Sequence, residues 1–361
     1  MIDCNEAAEV TESMPRLALS LNLNDSRYQV LIGTGGVGSG SFFTLDGNHT
    51  LGREESRSGR FLDRKDYCKL HIIAHYVKAL TGLGFPVLPV SKVGDDEAGV
   101  QLLHEMRDAG IETKYVGVSP GDPTLYSLCF LYPDGSGGNL TTSNAATARV
   151  DAHWIEAVEP EFIRYQGRGI ALAVPEVPFN ARNCLLKMGT LHGFYRVASF
   201  TRGDIVDHDP VYLLEQVDLC SVNMDEAAQL AGANPSDAIP HEIANRAIER
   251  LCTSMPKITL IITAGTKGSW CWDGVTISYV PAIPVKATGT AGAGDALLAG
   301  VLVGLIGGLS LRQSHQLGVL TAACSVTSPH TIDKNLGRQT LRRLANQVKD
   351  TIEPEVMNLL A

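Results

Sequence analysis

Short apolar runs rich in β-branched residues alternate along this chain with amphipathic stretches of helical length. The runs at 29–32, 87–90, 169–174, 196–200, 219–222 and 258–263 read as buried strands. Between them, 69–83, 97–109, 210–216, 225–231 and 241–252 place apolar residues at the 3.6-residue spacing of a helix. Strands that alternate with helices predict an α/β fold, a three-layer sandwich whose mostly parallel central sheet is covered on both faces. No internal repeat is visible.

Two segments break the alternation. Residues 37–60 are dense in Gly, Ser and charge, and 115–142 alternate like strands around the turn Pro133-Asp134-Gly135. Neither pattern suits the core, so both are assigned to a small β-rich lid over one edge of the sheet. The expected organisation is a partly disordered leader at 1–27, one domain at 28–350 with lid segments near 37–60 and 115–142, and a tail at 351–361.

Composition narrows the partners. With 361 residues and 44% hydrophobic content the chain can bury one large core. A net charge of −9 repels phosphate backbones, and no Lys/Arg stripe interleaved with aromatics counters it, so nucleic acid is excluded as a partner. Eight cysteines stand singly with no C-x-x-C pair, which suits reduced thiols in the cytoplasm and gives no zinc or redox motif. The first 27 residues lack the basic start and apolar run of a signal peptide. The longest apolar run, 296–306, is half of what a bilayer needs, and its Gly300 and Gly304 predict close helix packing inside a core rather than in a membrane.

Three glycine-rich turns are candidates for phosphate binding. Gly33-Thr34-Gly35-Gly36-Val37-Gly38 matches the dinucleotide fingerprint G-x-G-x-x-G, but poor helix formers follow it, and a pyrophosphate site needs a helix N-terminus there. The alternative is that these glycines let backbone pass close to a neighbour or ligand. Thr288-Gly289-Thr290-Ala291-Gly292-Ala293-Gly294-Asp295 runs straight into an apolar helix, so its first-turn N–H groups and the helix dipole form an anion site. Asp295 beside that site is either a helix cap or a general base for a hydroxyl lying between it and a phosphoryl group. The third turn, Thr263-Ala264-Gly265-Thr266-Lys267-Gly268, lacks P-loop spacing and would meet phosphate with amides and Thr hydroxyls. Asn223 and Glu226 open a further helix. They either form a capping box or touch phosphate and orient magnesium through water.

In this chain order the sites resemble the ribokinase-like (PfkB) carbohydrate kinase family, whose late signature is D-T-x-G-A-G-D. Gly289 to Asp295 matches all but its first position. Ser91-Lys92-Val93-Gly94-Asp95-Asp96-Glu97-Ala98-Gly99 resembles the G-x-V-G-x-D-x-x-G element, Asn223-Met224-Asp225-Glu226 the N-x-x-E motif, and Thr263 to Gly268 the T-x-G-x-x-G nucleotide turn. Over 28–344 the resemblance implies a ribokinase-like sandwich with a β lid. It implies Asp295 as base, the amides of Gly292, Ala293 and Gly294 as anion hole, and ATP bound through Asn223, Thr263, Gly265, Gly268 and Thr290. Glu226 would hold Mg2+ through water. The expected activity is transfer of the terminal phosphoryl group of ATP to a hydroxyl of a sugar-like or nucleoside-like small molecule. A homodimer through the lid is a further expectation.

The departures fall in the acceptor half. Val37-Gly38-Ser39-Gly40 occupies the neighbourhood of the family's sugar-gripping Asp, and His75 stands where an Asn of the helix start is expected. Gly289 replaces an Asp that helps bind a monovalent cation, which leaves that dependence in doubt. Asn48, His49 and Arg53, in the lid segment, are the candidate substrate contacts alongside His75. His71 and His75 lie four apart, but Ile72 stands where H-E-x-x-H needs Glu, so a zinc-protease site is excluded. Two alternatives are a non-catalytic sugar- or nucleotide-binding regulator of the same fold, and a Rossmann-type NAD-dependent oxidoreductase using the Gly33 turn.

Overall fold

A computed structural model of the protein describes residues 18–134, 136–233 and 239–361. Residues 1–17, which carry most of the expected leader and Cys4, lie outside the described residues, as does Gly135 of the expected turn. The described part of the leader lies on the core, where Leu19 is buried and its amide bonds the Leu80 carbonyl at 2.8 Å.

Thirteen strands are described. They are β1 Val30–Thr34, β2 Gly38–Leu45, β3 Gly59–Tyr67, β4 Val87–Gly94, β5 Val116–Ser119, β6 Leu125–Leu131 and β7 Gly137–Thr141, followed by β8 Gly169–Ala173, β9 Tyr195–Ser199, β10 Leu219–Asn223, β11 Thr259–Thr263, β12 Ser269–Trp272 and β13 Ile277–Val280. Nine form one sheet in the order β13-β12-β11-β10-β9-β8-β1-β4-β5, and four form a smaller sheet in the order β3-β2-β6-β7. From β11 to β5 every pairing in the large sheet is parallel; β12 and β13 add an antiparallel edge.

Alternation along each strand divides the core. In β1, Leu31 faces a cluster with the helices Lys69–Thr81, Ala293–Ile306 and Leu311–Ser325, while Val30 and Ile32 face a second cluster with Phe179–Leu191 and Pro240–Ser254. Helices thus cover both faces, which is the expected three-layer sandwich. The apolar helix Ala293–Ile306 packs closely on Leu311–Ser325: a Cβ on Gly300 would lie 2.5 Å from Thr321 Oγ1. Its glycine spacing therefore serves core packing, and no described helix is long and apolar enough to cross a membrane.

The expected strands at the centre of the sheet all form, and two outcomes differ from the sequence reading. The run around Val116 joins the edge of the large sheet as β5, because a short alternating segment carries the same pattern on either sheet. The turn at Gly33–Gly38 opens β2, not a helix, so it offers no dipole to a pyrophosphate and the oxidoreductase reading fails.

The order of the strands positions the site. From β1 the chain passes through the smaller sheet and the helix Lys69–Thr81 to β4 on one side, and later returns to β8 on the other. Such a switch point leaves a crevice at the carboxyl ends of the strands, where ligands of open α/β sheets bind.

Candidate active site

Asn223 ends β10 and Thr263 ends β11, and the two are register partners. Asn223 Oδ1 accepts from the Glu226 amide at 2.9 Å, and the Asn223 amide donates to Glu226 Oε2 at 2.8 Å, a reciprocal capping box. Capping occupies one Glu226 oxygen. Burial pushes Glu226 up to about 6, with the Lys69 ammonium opposing. Beyond Thr263 the chain turns through Gly265 and Gly268, both at positive φ, into β12.

The turn before the helix Ala293–Ile306 is tied down from behind. The Thr288 amide donates to the Val326 carbonyl at 2.7 Å, and Arg64 Nη1 of β3 donates to the Thr288 carbonyl at 2.9 Å. Gly292, at φ 75°, caps the helix, and a side chain there would be strained and crowd Ile72 at 3.1 Å. A Cβ on Gly294, by contrast, would meet nothing within 4 Å. The Ala293 amide donates to the Thr290 carbonyl at 3.3 Å and the Ala296 amide to the Gly292 carbonyl at 2.9 Å, which leaves the Gly294 and Asp295 amides as the first-turn donors at the helix start. Thr290 lies exposed on the approach to the helix. A cavity of about 1140 Å³ adjoins the turn, lined by Pro284, Val285, Ala323, Thr327, Lys334 and Arg343 among others.

Asp295, in the first turn, faces Lys69 from the start of another helix, with Nζ 3.8 Å from Oδ1. The Asp295 carboxylate raises the Lys69 ammonium, which therefore stays protonated. Burial raises Asp295 above the ordinary carboxylate range, Lys69 opposes that, and Asp66 adds to it.

Two further carboxylates act on this pair. Glu176 follows β8, and its Oε2 accepts from the Lys69 amide at 3.1 Å, capping from outside a helix whose own preceding residue, Cys68, supplies no side-chain cap. Its φ of 78° is the one positive value of a non-glycine residue among those described, the kind of backbone strain found at functional sites. Burial pushes Glu176 up to about 7; Lys69 opposes, and Asp295 and Asp66 reinforce the rise. Asp66 of β3 is buried and accepts from Ser127 Oγ, and from Cys129 Sγ at 3.4 Å, both on β6.

Glycine makes both placements possible. A Cβ on Gly36 would lie 2.1 Å from Glu176 Oε2, and one on Gly40 would lie 2.8 Å from Asp66 Oδ2. Gly36, between β1 and β2, and Gly40, within β2, thus leave room for acidic side chains against the backbone. Lys69, Glu176 and Asp66 were not among the residues singled out from sequence, and this density of glycine was the available signal.

The predicted acceptor contacts are placed apart from these groups. Asn48, His49 and Arg53 are exposed on the connection between β2 and β3, where Asn48 Oδ1 accepts from the Asp134 amide and His49 Nε2 pairs with Glu55. The rest of β2, seven residues beyond Gly38, separates that loop from it by about 23 Å at roughly 3.3 Å per residue. His75 is buried within its helix beside Tyr76, and burial pushes it down to about 4 and His71 down to about 3, so both are neutral. No group of three or more His, Cys, Asp or Glu able to hold a metal occurs among the described residues.

Residues 76–336 match the family described as pfkB family carbohydrate kinase. The chain belongs to that family. Among curated relatives, the fructoselysine 6-kinase of Escherichia coli (strain K12) is 38% identical over 68 residues, 19% of this chain and 26% of the relative; the chain thus matches only about a quarter of that protein's length. The 2-dehydro-3-deoxygluconokinase of Bacillus subtilis (strain 168) is 22% identical over 78% of this chain and 90% of its own. Among solved structures, the ribokinase of Cryptococcus neoformans var. grubii serotype A in complex with ADP superposes with a TM-score of 0.68 at 18% identity, covering 88% of this chain and 99% of that one. The ribokinase-like sandwich is therefore the fold of this pfkB protein.

Proposed function

We propose that this pfkB protein transfers the terminal phosphoryl group of ATP to a hydroxyl of a sugar-like or nucleoside-like small molecule. The observation that carries the reading is Asp295 itself: a carboxylate only 14% exposed, raised by burial, at the start of a helix and beside an open space. A carboxylate is a poor neighbour for phosphate alone and a good one for a hydroxyl that must lose a proton.

In this reading the acceptor hydroxyl lies between Asp295 and the terminal phosphorus. Its proton passes to the Asp295 carboxylate as its oxygen bonds phosphorus and the bond to the departing ADP oxygen breaks. The amides of Gly292, Ala293 and Gly294 hold the transferring group, and Lys69 moves between Asp295 and the phosphoryl oxygens. The nucleotide lies across the turn from Thr263 to Gly268, with Thr290 and Asn223 toward its phosphates. Mg2+, when bound with ATP, neutralises phosphate charge, and the uncapped oxygen of Glu226 suits an ion that keeps its water. The smaller sheet serves as lid, excluding water that would otherwise hydrolyse ATP.

The test is Asp295→Asn: phosphoryl transfer falls by about a thousandfold or more while ATP still binds. An active Asn variant rejects Asp295 as the base. Ligand binding without transfer across sugars, polyols and nucleosides favours instead the regulator reading, which the altered acceptor half motivates.

A further inference from the structure

The loop that leads into the helix Ala293–Ile306 is held by an arginine of the smaller sheet. Arg64 Nη1 donates to the Thr288 carbonyl at 2.9 Å, and Arg64 pairs with no carboxylate among the described residues. The residues after it fasten the same strand to the segment that follows the helix Leu311–Ser325. The Thr331 amide donates to the Lys65 carbonyl at 3.2 Å, the Lys65 amide to His330 Nδ1 at 2.9 Å, and the Tyr67 amide to Thr331 Oγ1 at 2.9 Å. A Cβ on Gly289 would lie 3.8 Å from Arg64 Nη1, 3.7 Å from the Ser328 carbonyl oxygen and 3.8 Å from that of Pro329. The guanidinium therefore shares one small space with two carbonyls that accept no hydrogen bond from the described residues.

The family resemblance implies a monovalent cation near position 289, where its signature has Asp, and the residues present do not fit one. Gly289 supplies no carboxylate. Its backbone is not left-handed and its nearest contacts are ordinary ones, so nothing steric keeps an aspartate out. Ser328 and Pro329 also line the cavity of about 1140 Å³, together with Lys65, Lys286, Lys334, Arg343 and a single carboxylate, Asp333. Lys65 pairs with Glu105, while Lys286, Lys334 and Arg343 reach no carboxylate among the described residues. In a chain of net charge −9 this is a local excess of positive charge, which repels a cation from solvent.

We infer that this protein works without a monovalent cation because Arg64 takes the ion's place. Its guanidinium holds the loop through the Thr288 carbonyl and so positions the amides that meet the phosphoryl group; it is a positioning residue and touches no reactant. For that consequence the inference rests on the proposed phosphotransferase site. A guanidinium keeps its proton at any working pH, so the charge is permanent. Because it is carried by β3, it comes with the smaller sheet and not from solvent.

The experiment records the thermal midpoint of the full chain, and its ADP release with a panel of sugars and nucleosides, in KCl, NaCl and tetramethylammonium chloride at equal ionic strength. The wild type should show one midpoint in all three salts and values of kcat/KM that agree within about twofold. Arg64→Ala should lose about tenfold or more in kcat/KM, and added guanidinium ion, but not K+, should recover part of the loss. Arg64→Lys, which keeps the charge, should lose less. Arg64→Ala combined with Gly289→Asp should acquire a response, with K+ raising both its midpoint and, by about fivefold or more, its kcat/KM over tetramethylammonium. A merely structural Arg64 would lower stability without creating a dependence on the cation. K+ that raises the wild-type midpoint, or its kcat/KM by about tenfold over tetramethylammonium, overturns the inference, as does a folded Arg64→Ala protein with wild-type activity in every salt. Midpoints that follow the expected pattern with no transfer to any acceptor leave the inference standing and overturn the kinase reading instead.

Discussion

Lys69 Nζ and Asp295 Oδ1 lie 3.8 Å apart at the starts of two different helices, so the proposed base meets a cation before any ligand arrives. Both helices carry a positive dipole end toward this point, and the pairing sets how readily the carboxylate takes a proton.

Replacing Lys69 with Met removes the charge that opposes the rise of Asp295. The acid limb of the kcat–pH profile should therefore move to higher pH, and kcat should fall about a hundredfold through loss of charge at the transferring group. A pH–rate profile of the variant checks both. An acid limb that stays in place would show that Lys69 does not act on the base.

Burial pushes Glu176 up to about 7 from the ordinary 4.5, with Lys69 opposing. Because the folded value is raised, the folded state holds this proton more tightly, and that stability is full below about 4.5 and lost as pH rises through about 7. The shift corresponds to roughly 3 kcal/mol. Glu176→Gln should remove this dependence, giving a variant whose thermal midpoint exceeds that of the wild type at pH 8 by more than at pH 5. Parallel melting curves at the two pH values would reject the assignment.

Gly294 and Gly36 make a paired test. Gly294→Ala places its methyl in open space, so the thermal midpoint should hardly move while transfer falls about tenfold or more through crowding of the phosphoryl group. Gly36→Ala places its methyl against Glu176 Oε2 and should raise the acceptor KM while leaving the nucleotide Kd near the wild-type value. Calorimetry with ATP and with acceptor separates the two outcomes.

Gly300→Leu tests the helix contact behind the site. Its Cβ would lie 2.7 Å from the Gly318 backbone as well as 2.5 Å from Thr321, and backbone cannot yield as a flexible side chain can. A loss of about 1–3 kcal/mol is expected from such overpacking, read as a shift of the denaturant midpoint.

The phosphate half of the site was readable in sequence because its parts are contiguous. Strand-end glycines and the run from Gly292 to Asp295 each sit within one turn, where local chemistry and spacing coincide. The acidic group is assembled otherwise. Asp66 is the last residue but one of β3, Lys69 opens a helix and Glu176 follows β8, so no local window contains the three together. Glu176 also occupies a left-handed position that would ordinarily announce itself as glycine. Polar loops drew attention toward Asn48, His49 and Arg53, because a polar run looks the same whether it lines a chamber or meets solvent. The edge strands β12 and β13 passed unmarked, being four residues each with mixed burial.

Asp66 and Lys69 are separated by two residues, at the joint where β3 leaves the smaller sheet and the helix Lys69–Thr81 begins. A displacement of that sheet must therefore be felt at both residues together. If that sheet closes as a lid in the proposed reaction, the contact of Lys69 with Asp295 would shift in the same movement. A loosened joint would then show itself as ATP consumed without product formed.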